Sequence, residues 1–295
     1  YYPSTYPYIP RSYLGLVGRV TYSYMTKYLL DVNVGYNGSE NFAPGKTRFG
    51  LFPSVSAGWV ISGENFMSRQ NVFSYLKLRA SWGLVGSDKG VNTRFMYMPA
   101  VWNDSGSYSF GVSNPDGSPS FAMSKPGNEL VTWETAAKTN VGVDMKFLNN
   151  RLSLVADYFY EDREGILITP QSLPGIIATT SPDLNIGEVV NQGYEISLSW
   201  DDKPLKDFSY SVNANMSYAR NKIINMDEVP KEFPYMNETG GPTDRQVGLY
   251  KFVRLYQYSD FIKEDDGSLT LNPNLPQPYQ KVYPGDAMYA DLNGD

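Results

Sequence analysis

The most regular pattern of apolar and polar residues lies between positions 139 and 160. Apolar residues such as Val143 alternate there with polar residues such as Asp144, and the alternation resumes after Asn149-Asn150. A period of two is typical of β-strands, because successive side chains point to opposite faces of a sheet. Asn-Asn between two such runs tolerates the positive φ angles of a tight turn. This stretch therefore predicts a β-hairpin.

Alternation of the same kind recurs along the chain and predicts eight strands. They are residues 14–25, 28–38, 51–61, 76–84, 139–147, 152–160, 193–200 and 208–218. Several approach the ~9–11 residues that a tilted strand needs to cross a bilayer. Between and after them we expect one helical turn within 63–75, a small strand near 94–101 and an extended stretch near 246–258.

The links between these strands alternate in length. The shorter links are 25–27, 62–75, 148–151 and 201–207, and the longer ones are 38–50, 85–138, 161–192 and the chain from 219 onwards. In strict up-and-down order, every long link then lies at one end of the sheet. Short turns at one end and long loops at the other are typical of bacterial outer-membrane barrels.

Two architectures agree with alternation alone, a soluble β-sandwich or barrel and a membrane barrel. The apolar rows carry aromatic residues towards their ends, which suits the headgroup layers of a membrane better than a soluble core. These residues are Tyr22, Tyr24, Tyr36, Trp59, Phe147, Tyr158, Tyr160, Trp200, Phe208 and Tyr218. The opposite rows consist mainly of Ser, Asn, Asp, Arg and Gly, which suits a wet interior. The pattern favours an all-β, antiparallel transmembrane barrel.

Composition narrows the possible functions. The 295-residue chain has neither Cys nor His, so disulfides, thiolate metal sites and the usual general base are excluded. The net charge of −6 gives no indication of a nucleic-acid partner. No apolar run approaches the ~20 residues of a spanning helix. The opening YYPSTYPYIP lacks Met and a basic region, so a signal peptide was removed or the chain is an internal piece.

Two groups of residues are candidates for binding. The aromatic residues Tyr97, Trp102, Tyr108 and Phe110 lie in the long segment 85–130. Aromatic rings on loops can stack on sugars or hold a peptide, or they can pack loop against loop. Four loop acids, Glu161, Asp162, Glu164 and Asp183, are interpreted as solvated charges.

The end of the chain carries a possible metal site. Asp291, Asn293 and Asp295 have the D-x-N-x-D spacing that places oxygen ligands around Ca²⁺. The terminal bidentate Glu of such a loop is absent, and Asp, Asn and Gly equally form turns that cap their own backbone. Apart from this possible Ca²⁺, we expect no cofactor.

Several segments together resemble one known family. Residues 19–42, 49–62, 76–86, 133–167, 185–200 and 283–295 are similar, in the same order, to barrel segments of the SusC/RagA group of TonB-dependent outer-membrane transporters of Bacteroidetes. The ordered set is more specific than any one segment. Asn37 and Tyr194 depart from the family pattern, which often has a charged residue and Trp at these positions.

The resemblance implies a transmembrane barrel of about 22 strands with long extracellular loops and an N-terminal plug. Residues 1–295 would then be part of this barrel domain, with about eight strands present and the plug and remaining strands absent. The charged residues on the polar rows would face the interior and pair with a plug or with one another. They are Arg19, Asp31, Lys77, Arg79, Asp144 and Asp157.

The resemblance also implies a function. Such transporters import oligosaccharides or peptides across the outer membrane, together with a SusD-like surface lipoprotein. The TonB–ExbB–ExbD complex supplies energy by pulling on the plug through a TonB box, and the protein is not an enzyme. A passive or structural outer-membrane barrel and a soluble glycan-binding β-sheet protein stay open as alternatives.

Overall fold

The computed structural model describes residues 11–45, 47–90, 95–98, 102–109, 117–123, 126–172, 181–245, 251–277 and 281–290. The chain divides into two compact units, Tyr1–Thr243 and Asp244–Asp295. Among the described residues, no helix has the length and apolar character needed to cross a membrane.

Ten strands lie among the described residues of the first unit. They are β1 (Tyr13–Tyr24), β2 (Tyr28–Ser39), β3 (Phe49–Val60), β4 (Phe73–Ser87), β5 (Trp102–Tyr108), β6 (Ser118–Met123), β7 (Glu134–Phe147), β8 (Leu152–Ile168), β9 (Leu184–Leu205) and β10 (Phe208–Asn225). Eight of them form one antiparallel sheet in the order β1-β2-β3-β4-β7-β8-β9-β10. The eight predicted strands and their up-and-down order are confirmed.

The strands extend further at the long-loop end than alternation predicts. β8 continues to Ile168 and β9 begins at Leu184, so Glu161, Asp162 and Glu164 lie in a strand, and the prediction that they lie in a loop was wrong. Alternation fades at residues 161–164 because the side chains on both faces are polar there. Pairing nevertheless continues, since Glu161 is opposite both Lys138 and Asn191.

Shorter elements lie between the sheet strands. Two 3₁₀ turns, Ile61–Gly63 and Asn65–Met67, account for the predicted helical turn. β5 and β6 form a separate hairpin. The strand predicted near 94–101 was wrong for the described residues 95–98, because Phe95 has a φ of 57° and accepts a hydrogen bond from the Met98 N–H, which closes a turn.

The tight turns adopt positive φ angles, as the Asn149-Asn150 pair predicts. These two residues have φ angles of 56° and 67°, and Leu148 before them has 53°. In the β1–β2 turn, Met25 and Thr26 have φ angles of 51° and 58°. Both turns lie at one end of the sheet, which we call the short-turn end.

One face of the sheet, the apolar face, carries large hydrophobic side chains in contact with solvent. Even on the central strands Trp82 is 43% exposed and Val141 is 52% exposed. A contiguous exposed surface of this kind marks a region that contacts lipid or another apolar partner. The opposite face, the polar face, carries most of the Ser, Asn and charged side chains.

Aromatic rings on the apolar face form a row at each end of an aliphatic band. At the short-turn end, Tyr24 stacks on Tyr28 with ring centroids 6.4 Å apart, and Phe73 packs on Phe147 at 5.0 Å. Trp59, Trp200, Phe208 and Tyr210 continue this row. At the long-loop end the row contains Tyr36, Phe49, Trp82, Tyr158, Tyr160, Tyr194 and Tyr218. The predicted aromatic ends of the strands are confirmed.

A small aromatic core lies at the long-loop end. Phe42 and Val131 are fully buried, and the Trp133 ring lies 5.2 Å from Phe42 and 5.3 Å from Phe52 between ring centroids. Trp133 Nε1 donates a hydrogen bond of 3.1 Å to the Arg48 carbonyl oxygen. The segment before β7 is thereby attached to the loop between β2 and β3.

In the second unit, the part of the chain that the structure describes contains four short strands. They are β11 (Lys251–Leu255), β12 (Phe261–Lys263), β13 (Leu269–Leu271) and β14 (Ala287–Ala290), and they pair as β11 with β14 and β12 with β13. Its core consists of Tyr256, Phe261, Val282 and Met288. β11 confirms part of the extended stretch predicted near 246–258; residues 246–250 lie outside the described part of the chain.

Candidate functional site

Hydrogen-bonding side chains form a cross-strand row on the polar face. The backbone register places Asp31 opposite Ser56, Ser56 opposite Ser81, and Ser81 opposite Asn140. These four residues, on β2, β3, β4 and β7, are called the hydroxyl row below. The row follows from the period of two, because each residue occupies the polar side of its own strand.

Arg79 connects three strands directly beside the hydroxyl row. Its Nε lies 3.1 Å from Asp144 Oδ1 on β7, and its Nη2 lies 2.6 Å from Asp157 Oδ2 on β8. Its Nη1 donates a longer hydrogen bond of 3.5 Å to Asn140 Oδ1. Gly142 lies beneath the guanidinium, and a Cβ there would be 2.7 Å from Arg79 Cζ. The missing side chain lets Arg79 cross β7.

One carboxylate oxygen of Asp157 in this cluster has no partner. Asp157 Oδ1 is buried and has no hydrogen-bond partner. The single Arg79 guanidinium pairs with two carboxylates. The Asp157 carboxylate contacts it through one oxygen only. A buried acceptor without a partner costs about 1–3 kcal/mol, so this oxygen would gain from an added donor such as water.

A second ion pair lies near the sheet edge. Arg19 Nη2 lies 3.1 Å from Asp31 Oδ1, and the Thr21 hydroxyl donates to the same oxygen at 2.5 Å. The expected pairing of polar-face charges with one another is confirmed for Arg19, Asp31, Arg79, Asp144 and Asp157.

A third network lies towards the long-loop end of the polar face. Glu161 accepts from Lys138 at 3.1 Å and from Arg163 at 2.8 Å, and Arg163 also pairs with Glu134 at 3.1 Å. Two cations thus balance two carboxylates across β7 and β8.

Lys77 differs from the other charged residues predicted for this face. It has no ion pair or hydrogen bond within the described part of the chain. It lines a groove of about 270 Å³ together with the hydroxyl row, Leu29, Ala57, Gly58, Arg79 and Ala80. A Cβ at Gly58 would lie 3.2 Å from Lys77 Cε and 3.5 Å from Leu29 Cβ. The end of the lysine stem therefore lies over the glycine.

Three acids come together on the other side of the sheet. Asp162, Glu164 and Glu188 place one carboxylate oxygen each within 4.8 Å of one another. The register puts Asp162 two positions beyond Tyr160, on the same side of β8 as that ring. Sequence reasoning missed Glu188, because it lies on the neighbouring strand, 24 positions beyond Glu164.

The structure describes the four predicted aromatic residues only in part. Tyr97 lies in the turn 95–98, with its ring centroid 6.0 Å from that of Phe95. Trp102 and Tyr108 lie at opposite ends of β5, about 20 Å apart for an extended strand. Phe110 lies outside the described residues. Their role in substrate binding stays a prediction.

The predicted Ca²⁺ ligands Asp291, Asn293 and Asp295 also lie outside the described residues. Asp183, the fourth predicted loop acid, lies in the link between β8 and β9, where the Thr169 hydroxyl donates to its Oδ1 at 2.5 Å.

Outside the sheet, two carboxylates accept several hydrogen bonds from residues at the strand ends and in the links between strands. The Tyr28 hydroxyl, Trp59 Nε1 and Lys27 all face Glu64 and hold the pKa of its carboxyl below the usual value. At the other end of the sheet, Asp227 accepts hydrogen bonds from the Ser172 hydroxyl at 2.8 Å and from the Gln171 and Ser172 N–H groups. The Ser172 contacts are the main cause of its lowered pKa.

An up-and-down antiparallel sheet with an exposed apolar face and a polar opposite face is typical of the wall of an outer-membrane β-barrel. The family model for the β-barrel of TonB-dependent receptor-like proteins matches residues 1–294. The chain therefore belongs to the TonB-dependent receptor β-barrel family, whose members are outer-membrane receptors and transporters rather than enzymes.

Individual relatives agree with this assignment. TonB-dependent receptor SusC of Bacteroides thetaiotaomicron is 32% identical over 211 residues, which cover 71% of this chain and 20% of that protein. TonB-dependent receptor P3 of Formosa agariphila is 27% identical over 303 residues, covering 97% of this chain and 28% of that protein. The chain thus spans between a fifth and a third of the length of these relatives.

Solved structures show the same fold. The RagAB peptide importer in its "closed-closed" state matches with a TM-score of 0.69 and 21% identity, over 95% of this chain and 30% of that chain. Its "open-open" state matches with a TM-score of 0.68 over 88% of this chain and 28% of that chain. The resemblance to the SusC/RagA group and the partial-barrel fold are confirmed.

Proposed function

We propose that this chain is part of the barrel wall of a transporter that actively imports nutrients across the outer membrane. Its substrates would be oligosaccharides or peptides, captured with a SusD-like surface lipoprotein. Energy would come from TonB–ExbB–ExbD acting on a plug that belongs to the whole protein. The relatives supply the precedents, since one is named SusC and another is a peptide importer.

The observation that carries the proposal is the pair of aromatic rows on an exposed apolar face. Trp59 and Phe49 on β3 are ten residues apart, which is about 33 Å along the strand and about 25 Å across a membrane at the usual tilt. This matches the apolar band of outer-membrane barrels, about 25 Å tall. A soluble β-sheet protein would have to cover this face.

The polar face supports a filled or wet interior. Arg79, Asp144 and Asp157 pair with one another on this face, as do Lys138, Glu161 and Arg163. Such paired charges are tolerated next to water or protein and are costly next to lipid. A passive barrel is the alternative, and it differs from the proposed transporter because it needs no energy source.

The test uses the intact gene in its own bacterium. We expect the protein in the outer-membrane fraction, and we expect deletion to abolish growth on one class of complex nutrient. Complementation should restore growth only when TonB is present. Recovery in the aqueous fraction would contradict the membrane location, and uptake that continues without TonB would favour a passive barrel.

The lipoprotein partnership needs a separate measurement. An affinity-tagged transporter, solubilised in mild detergent, should retain a surface lipoprotein through purification. The substrate class then follows from uptake of labelled oligosaccharides compared with labelled peptides. Absence of any lipoprotein under conditions that preserve the barrel would contradict that part of the proposal.

A further inference from the structure

We propose that residues 61–72, the link between β3 and β4, bind the inner leaflet of the outer membrane. The Lys27–Glu64 ion pair holds this segment, called the interfacial link below, in the headgroup layer, and Phe66 inserts among the lipids. The inference rests on the proposed function, because it needs the sheet to stand in a bilayer. It goes beyond that function in assigning a lipid-binding surface to a segment outside the strands.

The contacts of Glu64 place the interfacial link on the lipid-facing side of the sheet. Trp59 Nε1 donates a hydrogen bond of 3.2 Å to Glu64 Oε1, and the Tyr28 hydroxyl donates to the same carboxylate. Trp59 and Tyr28 are opposite each other in the register and belong to the aromatic row at the short-turn end of the apolar face. Because these two rings hold Glu64, the link folds towards the apolar face and away from the polar face.

The same contacts set the depth of the interfacial link. Tyr and Trp rings of membrane proteins occupy the interface, where their polar groups lie at the level of the headgroups. Here the polar groups of Trp59 and Tyr28 bond to Glu64, so this carboxylate lies in the headgroup layer. The short turns of outer-membrane barrels face the periplasm, which makes this the inner leaflet.

The charges of the interfacial link suit that layer. A carboxylate next to lipid is costly unless it is paired, and Lys27 Nζ lies 3.4 Å from Glu64 Oε2. Both side chains are largely buried, at 22% and 15% exposed. Counted with Lys27, the link has one anion, Glu64, and two cations, since Arg69 is the other charged residue of 61–72. An excess of positive charge is attracted to anionic phospholipid headgroups.

The interfacial link presents Phe66 on an ordered backbone. Hydrogen bonds close both of its 3₁₀ turns, with the Glu64 and Met67 N–H groups each donating at 3.0 Å. Phe66, in the second turn, is 66% exposed, and Val72 at the end of the link is 62% exposed. An ordered turn therefore exposes a phenylalanine two residues from the contact with the aromatic row. Interfacial segments bury such side chains at the boundary of headgroups and acyl chains.

A protein partner fits this position less well than lipid. A plug lies inside a barrel, whereas the contacts of Glu64 place the interfacial link on the outer side. The link joins β3 and β4, and the strands on either side of these two are β2 and β7. The turns that flank the link, 25–27 and 148–151, therefore belong to the described chain. Strands of the whole protein beyond this chain do not adjoin it.

Fluorescence quenching of the full-length transporter in phospholipid nanodiscs tests the assignment. The discs contain phosphatidylethanolamine and phosphatidylglycerol, and the variant is Phe66→Cys labelled with an environment-sensitive dye. This chain has no cysteine, and any in the rest of the protein are replaced by serine. The quenchers are a lipid with a nitroxide near the head of its acyl chain and iodide in the water. The matched control is Asn149→Cys, an exposed position in the β7–β8 turn at the same end of the sheet.

We expect the nitroxide lipid to quench the label at position 66 several-fold more strongly than the label at position 149. Iodide should show the opposite order. Strong iodide quenching at position 66 without lipid quenching would overturn the assignment, because it would place this side chain in water. Protection from both quenchers would also overturn it, because a protein would then cover the site.

Two further substitutions test the ion pair. Lys27→Met keeps an unbranched stem and removes the ammonium, which leaves the charge of Glu64 unbalanced in the headgroup layer. It should reduce lipid quenching at position 66 several-fold. Adding Glu64→Gln removes the unbalanced charge, keeps a hydrogen-bond acceptor and should restore the quenching. Unchanged lipid quenching in Lys27→Met would overturn the role assigned to the pair.

A label on the apolar face keeps this inference separate from the proposed function. Val143→Cys places the same dye within β7, where lipid should quench it in any sheet that spans the membrane. Lipid quenching at position 143 but not at position 66 would overturn the interfacial link and leave the barrel wall intact. Its absence at both positions would contradict the membrane location itself. Heat-modifiable migration on gels verifies that each variant has folded.

Discussion

Arg79 Nη2 lies 2.6 Å from Asp157 Oδ2, although the two residues are 78 positions apart in the sequence and a strand lies between them. Gly142 on β7 is opposite both residues in the register. Ion pairs between neighbouring strands are common, but an ion pair that crosses an intervening strand needs a position there without a side chain. Gly142 is this position.

The first prediction follows from this contact. A Cβ at Gly142 would lie 2.5 Å from Asp157 Oδ1 and 2.7 Å from Arg79 Cζ. Gly142→Ala should therefore displace the ion pair and destabilise the full-length protein by about 1–3 kcal/mol, the usual cost of overpacking. Thermal unfolding in detergent, followed by heat-modifiable migration, measures the effect.

Gly18→Ala is the matched control for that experiment. Gly18 lies within a strand of the same sheet, and a Cβ there would meet no atom within 4 Å. It should leave the unfolding temperature unchanged or raise it slightly, since alanine restricts the unfolded chain. Equal destabilisation by the two substitutions would show that the Arg79 contact does not depend on the glycine.

The second prediction concerns the direction of the two faces. Val143 lies on the apolar face, opposite Leu78 and Ala156. Val143→Arg should cost ~2–4 kcal/mol near the membrane midplane and reduce the amount of assembled barrel. Ser197→Arg, on the polar face of β9, should assemble normally. If Val143→Arg assembles and Ser197→Arg does not, the faces are reversed.

Alternation predicts the faces of the sheet well, because a period of two is a local property of each strand. Val143 and Asp144 could be assigned to opposite faces from the sequence alone. Partners across strands could not, since the match of Arg79 with Asp157 depends on the register of three strands. Strand ends were also missed where both faces are polar, as at Glu161.

The candidate sites show the same limit. The sequence indicated that Lys77 and Asp31 share a face. It could not show that Asp31 pairs with Arg19, or that Lys77 has no ion pair among the described residues. Trp133 is a second example. Its contact with the Arg48 carbonyl joins segments 85 positions apart, and no local pattern marks that pairing.

The third prediction concerns this tryptophan. Trp133 packs against Phe42 and Phe52 and donates a hydrogen bond to Arg48. Trp133→Ala should loosen the β2–β3 loop, raising amide hydrogen exchange in residues 40–48 several-fold. Trp133→Phe keeps an aromatic ring but removes the donor, so its effect should be smaller. The two variants having equal effects would indicate that the ring contributes nothing beyond the hydrogen bond.

The fourth prediction is a pH dependence in the second unit. Arg254 forms two contacts with Asp260, at 2.5 Å and 2.8 Å, and the Gln257 N–H donates to the same carboxylate at 2.7 Å. Arg254 is the main cause of the lowered pKa of Asp260, whose usual value is 3.8, and the Gln257 N–H is the next cause.

A lowered carboxyl pKa fixes the sign of the effect. The ionised carboxylate stabilises the fold at any pH above the usual value, and this contribution is lost as the pH falls through the lowered pKa. Hydrogen exchange in residues 254–263, corrected for intrinsic rates, should therefore be faster in Asp260→Asn than in the native protein at neutral pH. The difference should disappear as the pH falls through the lowered pKa of Asp260. Asp265→Asn is the control for a neighbouring carboxylate and should match the native protein throughout. A difference between Asp260→Asn and the native protein that persists unchanged into strong acid would show that the carboxylate charge is not what holds Arg254 and the Gln257 N–H in place.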